Sequence, residues 1–439
     1  MKRELLVAEV LADALLSVEP GIAESIERVA WTLGRRHRWI APFCTRLFHR
    51  FGSSLCQSDR RKLVDWIRSD AGYRNAWGAV RLPRIAHYPL DPPRMSPRHG
   101  ALAACALPAI PTSRDLADWL GIGVSELDWF ADLREMNPPE GALSHYRYEW
   151  VAKRFGARLI EIPKARLKEI QRRILHGILD PVPVHRAAHG FRKGHSCLTY
   201  VEPHVGREVV LRMDLRDFFP GIASARVSAL FSTLGYPDNV ARLLAGLCTN
   251  KVPMRVARRG ASSWQEAKRL GVPHLPQGAP TSPALANLCA LHLDQRLDAL
   301  ATSMDSNYTR YADDLAFSGP ETLRRQVERL PLLVAEIALE EGFEVNHRKT
   351  RVMHASDRQI LTGIVVNHRP NLCRTEFDRL KAILTNCARH GPEFQDRGHA
   401  RNFRAYLAGR IAYVGSLNPD RATKLDSVFR SIAWPTSPE

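Results

Sequence analysis

Residues 308–318 read Tyr-Thr-Arg-Tyr-Ala-Asp-Asp-Leu-Ala-Phe-Ser, and the rest of the chain is organised around them. Aromatic and β-branched residues precede Ala312 and apolar residues follow Asp314, which predicts two short strands. Asp313 and Asp314 would then lie at the tip of a hairpin. One interpretation is a solvated acidic turn, because an Asp side chain can bond nearby backbone amides. The other is half of a Mg²⁺ site for phosphoryl transfer, because adjacent carboxylates repel each other unless a cation compensates them.

A third carboxylate lies within residues 209–219, Val-Val-Leu-Arg-Met-Asp-Leu-Arg-Asp-Phe-Phe. The apolar run and its β-branched residues predict a buried strand. An unpaired Asp is costly in such a place, so Asp214 requires either a salt bridge to Arg212 or Arg216, or a metal ion. Three Asp on two adjacent antiparallel strands would fit a pair of Mg²⁺ ions about 3.5 to 4 Å apart, which activate a 3′-hydroxyl and stabilise the leaving pyrophosphate.

The composition predicts a polyanionic partner and no membrane segment. Sixty-three Lys and Arg against 46 Asp and Glu give a net charge of +17, and basic residues recur along the whole chain, as a long nucleic-acid groove requires. No apolar run reaches 18 residues, and the acidic residues near the N-terminus are unlike a signal peptide. Eight scattered Cys without a Cys-x-x-Cys pair indicate reduced thiols of a cytoplasmic protein.

The N-terminal part of the chain is predicted to be helical and then extended. Helical periodicity in residues 1–79 predicts a helical N-terminal region, and seven prolines predict a linker at 80–111. Thr112 and Ser113 then offer a hydroxyl cap for the first of two short helices joined at Gly121. This pair resembles a helix-turn-helix, but its second helix is too acidic for a major groove, so we expect a structural docking role.

A basic hairpin and a basic loop follow. Two strand-like runs within residues 148–162 flank a turn, with Lys153 and Arg158 on either side of it. Paired cations in this position can hold a triphosphate, and solvated side chains are the alternative. A glycine-punctuated loop downstream carries Arg192 and Lys193, which we predict to contact nucleic acid.

A proline-framed turn lies between the two carboxylate stretches. It makes Gln277 a directed polar group, and an apolar helix is predicted over 284–300. A further helix is predicted over 323–341. Lys349 follows it as a candidate cation for the leaving phosphates.

Two helical stripes are predicted near the C-terminus, over 377–387 and 403–414, the second ending at Gly415. Basic residues accompany the second stripe: Arg401, Arg404 and Arg410. A solvated face is one interpretation of them. A surface that tracks a nucleic-acid duplex is the interpretation we favour, because basic side chains contact the phosphate backbone.

These stretches together resemble the right-hand polymerase fold of bacterial reverse transcriptases, since five separated motifs occur in family order over roughly residues 112–439. The resemblance implies an RNA-directed DNA polymerase with an α+β fold of fingers, a palm built on an antiparallel sheet, and a helical thumb. We therefore expect fingers with N-terminal helices at 112–205, a palm at 206–363 with a fingers segment at about 235–275, and a thumb at 364–439.

The resemblance also implies roles for the acidic residues and for the lysine that follows them. Asp214, Asp313 and Asp314 look like the triad that binds two Mg²⁺ ions, for which Mn²⁺ can substitute. Lys349 looks like the proposed general acid of the family. These residues would be the catalytic set.

Further matches concern the incoming nucleotide. Lys153 and Arg158 look like the fingers residues that hold the triphosphate. Phe219 matches the gate that rejects a ribose 2′-hydroxyl, and Gln277 matches the Gln of the nucleotide pocket. A deoxynucleoside triphosphate (dNTP) is the substrate that these residues imply.

Within the family, the chain looks most like retron reverse transcriptases, which copy a structured noncoding RNA into a branched RNA–DNA molecule used in phage defence. A hairpin over residues 360–365 resembles the one that grips the primer strand, and its Leu361-Thr362-Gly363 resembles a Val-Thr-Gly signature of retrons. The implied partners are that RNA, the RNA–DNA hybrid, dNTPs and an effector protein encoded nearby. The alternatives are a group II intron-type or other defence-associated reverse transcriptase, and a non-catalytic RNA-binding scaffold.

Overall fold

The computed structural model describes residues 2–17, 21–52, 55, 60–78, 82–88, 94–96, 98, 100–136, 141–153, 156–396 and 402–434. They fall into two compact units, Met1–Pro93 and Arg94–Glu439, and the division lies inside the proline-rich stretch at 80–111. No helix in the described ranges is long and apolar enough to cross a membrane.

The N-terminal unit is built from helices that each bury one apolar side. They are α1 Lys2–Leu16, α2 Ile22–Thr32, α3 Ile40–Phe51, α4 Arg60–Ser69 and α5 Ala71–Ala76. Leu11, Val29 and Phe43 from successive helices meet in a common core. Arg46 pairs with Asp70 at 2.7 Å, and Asp70 also caps α5, so this ion pair ties α3 to the start of α5.

The C-terminal unit combines helices with antiparallel strands, in agreement with the predicted α+β class. Its helices are α6 Ser113–Leu120, α7 Val124–Ala131, α8 Ala165–Ile174, α9 Cys197–Val201, α10 Ser224–Thr233, α11 Asp238–Cys248, α12 Met254–Gly260, α13 Trp264–Leu270, α14 Ser282–Cys289, α15 Leu291–Ser303, α16 Glu321–Arg324, α17 Leu330–Glu340, α18 Arg374–His390, α19 Phe403–Leu417 and α20 Pro419–Arg430. Its strands are β1 Tyr146–Ala152, β2 Ala157–Pro163, β3 Val209–Arg216, β4 Asn307–Tyr311, β5 Asp314–Gly319, β6 Glu344–Val345, β7 Arg351–His354, β8 Ile360–Leu361, β9 Ile364–Val365 and β10 Asn371–Leu372.

Strand β3 is the centre of the sheet that carries the carboxylates. Along one edge it pairs with β5, which pairs in turn with β4, and along the other edge it pairs with β6 and β7, always antiparallel. Val209 and Leu211 face the larger core, whereas Val210 faces a second core with Tyr200 and Leu361. Burial on both faces accounts for the three consecutive apolar residues at the start of β3.

Three predicted elements of this unit have other bounds than expected: one strand ends early and two helices are divided. The strand predicted over 209–219 ends at Arg216, because Asp217 adopts a left-handed φ of 46°. The helix predicted over 284–300 divides into α14 and α15. The helix predicted over 323–341 divides into α16 and α17, and proline lies in the first turn of α17, where its missing N–H costs no helical hydrogen bond.

Helix α19 does not end at Gly415 as predicted but continues to Leu417, and α20 follows it unpredicted. A Cβ at Gly415 would lie 3.3 Å from the Cβ of Ala422 on α20. This glycine therefore permits close approach of two helices and does not terminate one. The Asn418 side chain accepts from Arg421 N–H at 3.2 Å and caps α20.

Candidate active site

Strand register brings the predicted carboxylates together. Asp214 of β3 lies directly opposite Asp314 of β5, as expected for two adjacent antiparallel strands. Asp313 precedes it in the turn, where the Leu215 N–H donates to the Asp313 carbonyl oxygen at 2.8 Å. Ala312 adopts a left-handed φ of 56° at this tip, which is uncommon for a residue with a Cβ. A tight turn thus presents Asp313 beside the other two carboxylates.

Two cations compensate these carboxylates. Lys349 Nζ donates to both oxygens of Asp214, at 2.9 and 2.8 Å. Arg212 donates from Nε and Nη2 to Oδ1 of Asp314, at 3.0 and 2.7 Å. A salt bridge of Asp214 to Arg212 or Arg216 was one predicted alternative, and it is wrong because the cation paired with Asp214 is Lys349. Arg212 lies on the same face of β3 as Asp214 and reaches diagonally across to β5.

Burial leaves the carboxylate cluster short of positive charge. Desolvation raises the pKa of Asp313, and the neighbouring charges of Asp214 and Asp314 raise it further. Desolvation also raises the pKa of Asp314, against the opposing effect of Arg212. A further cation beside the cluster would therefore favour the ionised carboxylates.

The donor set suits a hard divalent cation, because Mg²⁺ prefers carboxylate oxygens. Within the described ranges, no group of three or more His, Cys, Asp or Glu is arranged ready to hold an ion. Asp214 and Asp314 are paired with Lys349 and Arg212 instead. The Lys349 side chain is 57% exposed and has room to turn away. The residues therefore fit a divalent ion once Lys349 releases Asp214.

A cavity of about 1250 Å³ opens beside the cluster. It exceeds the roughly 300 to 1,000 Å³ typical of small-molecule sites, so a nucleotide would not fill it alone. Predicted residues from separated stretches of the chain line it: Lys153, Arg158, Asp214, Phe219, Gln277, Asp313 and Lys349. The structure thus brings most of the predicted catalytic and nucleotide-binding residues to one place.

The β1–β2 hairpin carries two of the cavity's cations. Lys153 N–H donates to the Gly156 carbonyl oxygen at 3.0 Å and closes the turn. Burial lowers the pKa of Lys153, and the charges of Arg158 and Lys349 lower it further. These like charges repel each other, so the cavity wall would bind an anion favourably.

A buried pair joins this hairpin to the Gln277 turn. Glu161 N–H donates to the Gln277 carbonyl oxygen at 2.9 Å, and the Glu161 carboxylate bonds His274 Nε2 at 3.0 Å and Asn250 Nδ2 at 2.6 Å. Burial opposes the charge on His274, but Glu161 outweighs it and raises the His274 pKa. Sequence reasoning missed this pair, because its members are 113 residues apart and only the folded chain joins them.

An aromatic group and an ion pair complete the cavity wall. The ring centroid of Phe219 lies 5.5 Å from that of Phe218 and 6.0 Å from that of Phe191. Phe191, which is 50% exposed, was not predicted as a site residue. Arg269 of α13 pairs with Asp217, and both line the cavity. An aromatic residue beside two basic residues, with a glycine on either side of the three, was the one available signal in the sequence.

Four predicted nucleic-acid contacts lie outside the described lining of the cavity. Arg192 and Lys193 follow Phe191 in its loop. Thr362 and Gly363 form the tip of the β8–β9 hairpin, with φ values of 47° and 84°. Such positions are compatible with contacts to a ligand that extends beyond the cavity.

The predicted basic residues of α19 contact aromatic rings. The guanidinium carbon of Arg404 lies 5.8 Å from the ring centre of Trp434, and Arg410 donates to the Tyr406 hydroxyl at 3.1 Å. Arg401 lies outside the described residues. The two described arginines thus lie beside aromatic side chains, and neither is among the residues that line the cavity.

Comparison with known proteins identifies the class. A protein-family model described as "Reverse transcriptase (RNA-dependent DNA polymerase)" matches residues 152–381. The chain is 42% identical over 330 residues to the retron Mx65 reverse transcriptase of Myxococcus xanthus, covering 75% of this chain and 74% of that protein. It is 41% identical over 273 residues to the retron Mx162 reverse transcriptase of the same organism, covering 60% and 55%. It is 32% identical over 228 residues to the retron Ec86 reverse transcriptase of Escherichia coli, covering 52% and 64%.

The fold, the carboxylate cluster and these similarities define an RNA-directed DNA polymerase, as predicted. The chain belongs to the reverse transcriptase family. The predicted resemblance to retron reverse transcriptases is also confirmed, because the relatives above carry that name.

Proposed function

We propose that this protein is a retron reverse transcriptase, which adds deoxynucleotides to a primer on an RNA template at Asp214, Asp313 and Asp314. The observation that carries the proposal is the pairing of Asp214 with Asp314 across β3 and β5, beside a large cavity rich in cationic and aromatic residues. The names of the similar proteins support the retron assignment.

The three aspartates would hold two Mg²⁺ ions, with Mn²⁺ as a substitute. Bound there, the ions would activate the primer 3′-hydroxyl and stabilise the leaving pyrophosphate. The chain itself keeps Asp214, Asp313 and Asp314 adjacent at the end of a buried strand. Arg212 would orient Asp314, since both of its hydrogen bonds go to Oδ1 and neither occupies Oδ2.

The cavity cations and aromatic residues would handle the incoming dNTP. Lys349 would turn from its carboxylate partner to the pyrophosphate and donate a proton as general acid. Lys153 and Arg158 would hold the triphosphate as paired cations. Phe219 would exclude a ribose 2′-hydroxyl, and Gln277 would contact the base or sugar from its rigid turn. Each of these roles agrees with a position on the cavity wall.

The nucleic acid would extend beyond the cavity. We assign fingers to 112–205, a palm to 206–363 with a fingers segment at about 235–275, and a thumb to 364–439. The proposed contacts to template and primer are Arg192, Lys193, Thr362, Gly363, Arg401, Arg404 and Arg410. Such contacts would follow the backbone of an A-form hybrid. The helical region 1–79 would bind the structured RNA or a partner protein.

The biological setting follows from the retron assignment. The enzyme would copy a structured noncoding RNA in the cytoplasm and produce a branched RNA–DNA molecule. That molecule would act in anti-phage defence together with an effector protein encoded nearby. Sequencing of nucleic acid that copurifies with the protein tests this setting, because a short single-stranded DNA joined to RNA is the expected product. An intron RNA in its place would contradict it.

The catalytic assignment is tested by Asp313→Asn combined with Asp314→Asn. We expect this variant to lose extension of a DNA primer on an RNA template in Mg²⁺ while RNA affinity persists, because the amide keeps the shape but loses the charge that binds cations. Asp305→Asn is the matched control, since Asp305 is exposed before β4 and also has a left-handed φ, of 50°. Extension at the wild-type rate in the double variant would sink the proposal.

A further inference from the structure

Arg310 carries a buried charge behind the hairpin tip. Its side chain is fully buried, and so is that of Asp294 on α15. Arg310 Nε donates to Asp294 Oδ1 at 2.8 Å and Nη2 donates to Oδ2 at 2.6 Å, while the Tyr308 hydroxyl donates to Oδ1 at 2.8 Å. Burying such a pair is costly, and hydrophobic replacement often leaves stability unchanged or improves it. The pair therefore needs a reason other than stability.

The third guanidinium nitrogen, Nη1, contacts the hairpin tip that carries Asp313. Arg310 Nη1 donates to the Ala312 carbonyl oxygen at 3.1 Å and to Asn287 Oδ1 at 3.0 Å. Ala312 is the residue with the left-handed φ, immediately before Asp313. A strained backbone conformation costs about 1 to 3 kcal/mol and persists only where its surroundings hold it. The Arg310 hydrogen bond is one such restraint.

The same network holds the tip from a second side. Asn287 Nδ2 donates to the Gly190 carbonyl oxygen at 2.9 Å. The backbone of Arg310 bonds to the loop before Gly190, since its N–H donates to the Ala187 carbonyl oxygen at 2.7 Å and its carbonyl oxygen accepts from His189 N–H at 2.8 Å. Side chain and backbone of one residue thus connect α14, α15 and this loop to β4.

Arg310 also reaches the segment that follows β3, the strand of the first carboxylate. Its guanidinium carbon lies 5.7 Å from the ring centre of Phe218, within cation–π distance. Phe218 precedes Phe219, whose ring faces the cavity. Displacement of the guanidinium would therefore act on both the aspartate turn and the aromatic wall.

We propose that Arg310 is a positioning residue for nucleotide addition, which fixes the Ala312 turn and thereby the place of the Asp313 carboxylate relative to Asp214. Asp294 and Asn287 serve to orient the guanidinium. This inference rests on the proposed function, because it assumes that the aspartate cluster is the reaction centre. It adds a residue that touches no substrate and acts through the backbone.

The test separates positioning from stability. A triple variant, Arg310→Met with Asp294→Leu and Tyr308→Phe, removes both buried charges and the hydroxyl that bonds Asp294, while Asn287 Oδ1 and the Ala312 carbonyl oxygen lose one donor. We expect its Tm to stay within about 4 °C of wild type and its RNA affinity to be unchanged. At saturating dNTP its single-turnover rate of primer extension should fall about 10- to 100-fold with little change in the dNTP KM, because the carboxylate is misplaced and the nucleotide contacts are not.

A second, more conservative variant tests the inference even if the triple variant does not fold. Arg310→Lys keeps a cation opposite Asp294 but cannot reach Asp294 and the Ala312 carbonyl together, so we expect the same loss of rate. Thr309→Val is the control: Thr309 lies on the opposite face of β4 and bonds His204 and the Tyr200 carbonyl oxygen, so this change should lower Tm without lowering the rate.

Either Arg310 variant extending at the wild-type rate would overturn the inference, and so would an equal loss of rate in Thr309→Val. Asp313→Asn, measured in parallel, distinguishes failure of the positioning inference from failure of the proposed reaction centre. If Asp313→Asn is inactive while the Arg310 variants are fully active, only the positioning inference fails. If Asp313→Asn is fully active, the proposed reaction centre itself is wrong and the inference falls with it.

Discussion

Gly190→Ala should slow nucleotide addition by pressing on the aspartate turn. A Cβ at this position would lie 2.6 Å from Ala312 N and 3.2 Å from the carbonyl carbon of Tyr311, whereas ordinary contact begins at 3.4 Å. Both neighbours are backbone atoms, which cannot rotate away as the end of a side chain can. The turn or the loop must therefore move by about 0.8 Å, the difference between contact and the closest of these distances.

The size of the effect follows from that displacement. A misplacement of about 1 Å in a catalytic group costs on the order of 100-fold in rate. Overpacking of this kind also costs about 1 to 3 kcal/mol of stability, which a chain of this size tolerates. Because the turn and the loop share the displacement, we expect the single-turnover extension rate of Gly190→Ala to fall by about 30- to 100-fold. The protein should stay folded and bind RNA.

The assay is extension of a prebound DNA primer on an RNA template by one nucleotide under rapid mixing, with Tm measured on the same preparations. Gly194→Ala is the control from the same loop: it has a left-handed φ of 76°, but a Cβ there meets nothing within 4 Å. Backbone strain without pressure on the turn should leave the rate within about threefold. The reasoning is refuted if Gly190→Ala matches wild type, or if Gly194→Ala is slowed equally.

Further predictions concern discrimination against ribonucleotides, the stability of the fold at low pH, and the salt dependence of nucleic-acid affinity. Phe219→Ala should lower the preference for dNTP over ribonucleotide roughly tenfold or more, measured as a ratio of kcat/KM values, and an unchanged ratio would remove Phe219 as the gate. Burial lowers the pKa of His204 from 6.5 to about 3, so the unfolded chain binds a proton that the folded chain refuses, and stability falls as pH falls from 6.5 toward 3. His204→Asn should reduce that slope by about 1.4 kcal/mol per pH unit in urea unfolding, and an unaltered slope would contradict the assignment. If Arg404 and Arg410 contact phosphate, replacing both with Gln should reduce the slope of log affinity against log salt by about 1.5, whereas an equal slope would place both outside the duplex contact.

The role of the three carboxylates could be predicted because local sequence patterns alone indicate it. An Asp at the end of an apolar run, as at Asp214, conflicts with the burial that the run predicts, and such a conflict marks a functional residue. The adjacent pair Asp313 and Asp314 between two short strand patterns predicts a turn by the same local logic. The adjacency of β3 and β5 was then predicted from the requirement that three carboxylates meet at one metal site.

Their counter-ions could not be predicted. The partner of Asp314 is Arg212, and it follows from a register in which Arg212 faces Ala316, two residues beyond Asp314. A shift of one residue would turn every side chain to the other face, and no local pattern determines which register forms. The ion pair of Arg310 with Asp294 is hidden for the same reason, since one member lies on a strand and the other on a helix.

Local signals also misled where tertiary packing outweighed them. Glycine usually marks the end of a helix, yet Gly415 lies inside α19 because Ala422 packs against it. The aromatic Phe191 gave a weak signal in a basic loop, and only the folded loop places its ring 6.4 Å from that of Tyr311. Close contacts between distant segments override propensity in both cases.

The central position of β3 has a consequence for synthesis of the chain. Its neighbours on the sheet lie far downstream: Asp214 pairs with Asp314, Leu215 with Val345 and Val209 with His354. At about 5 to 20 residues per second, a ribosome needs roughly 7 to 29 s to make the 145 residues between Val209 and His354. Both edges of this largely buried strand stay unpaired until β5 emerges, and the edge that binds β7 stays unpaired until the end of that time. The nascent polymerase is therefore most exposed to aggregation after β3 emerges and before β7 does.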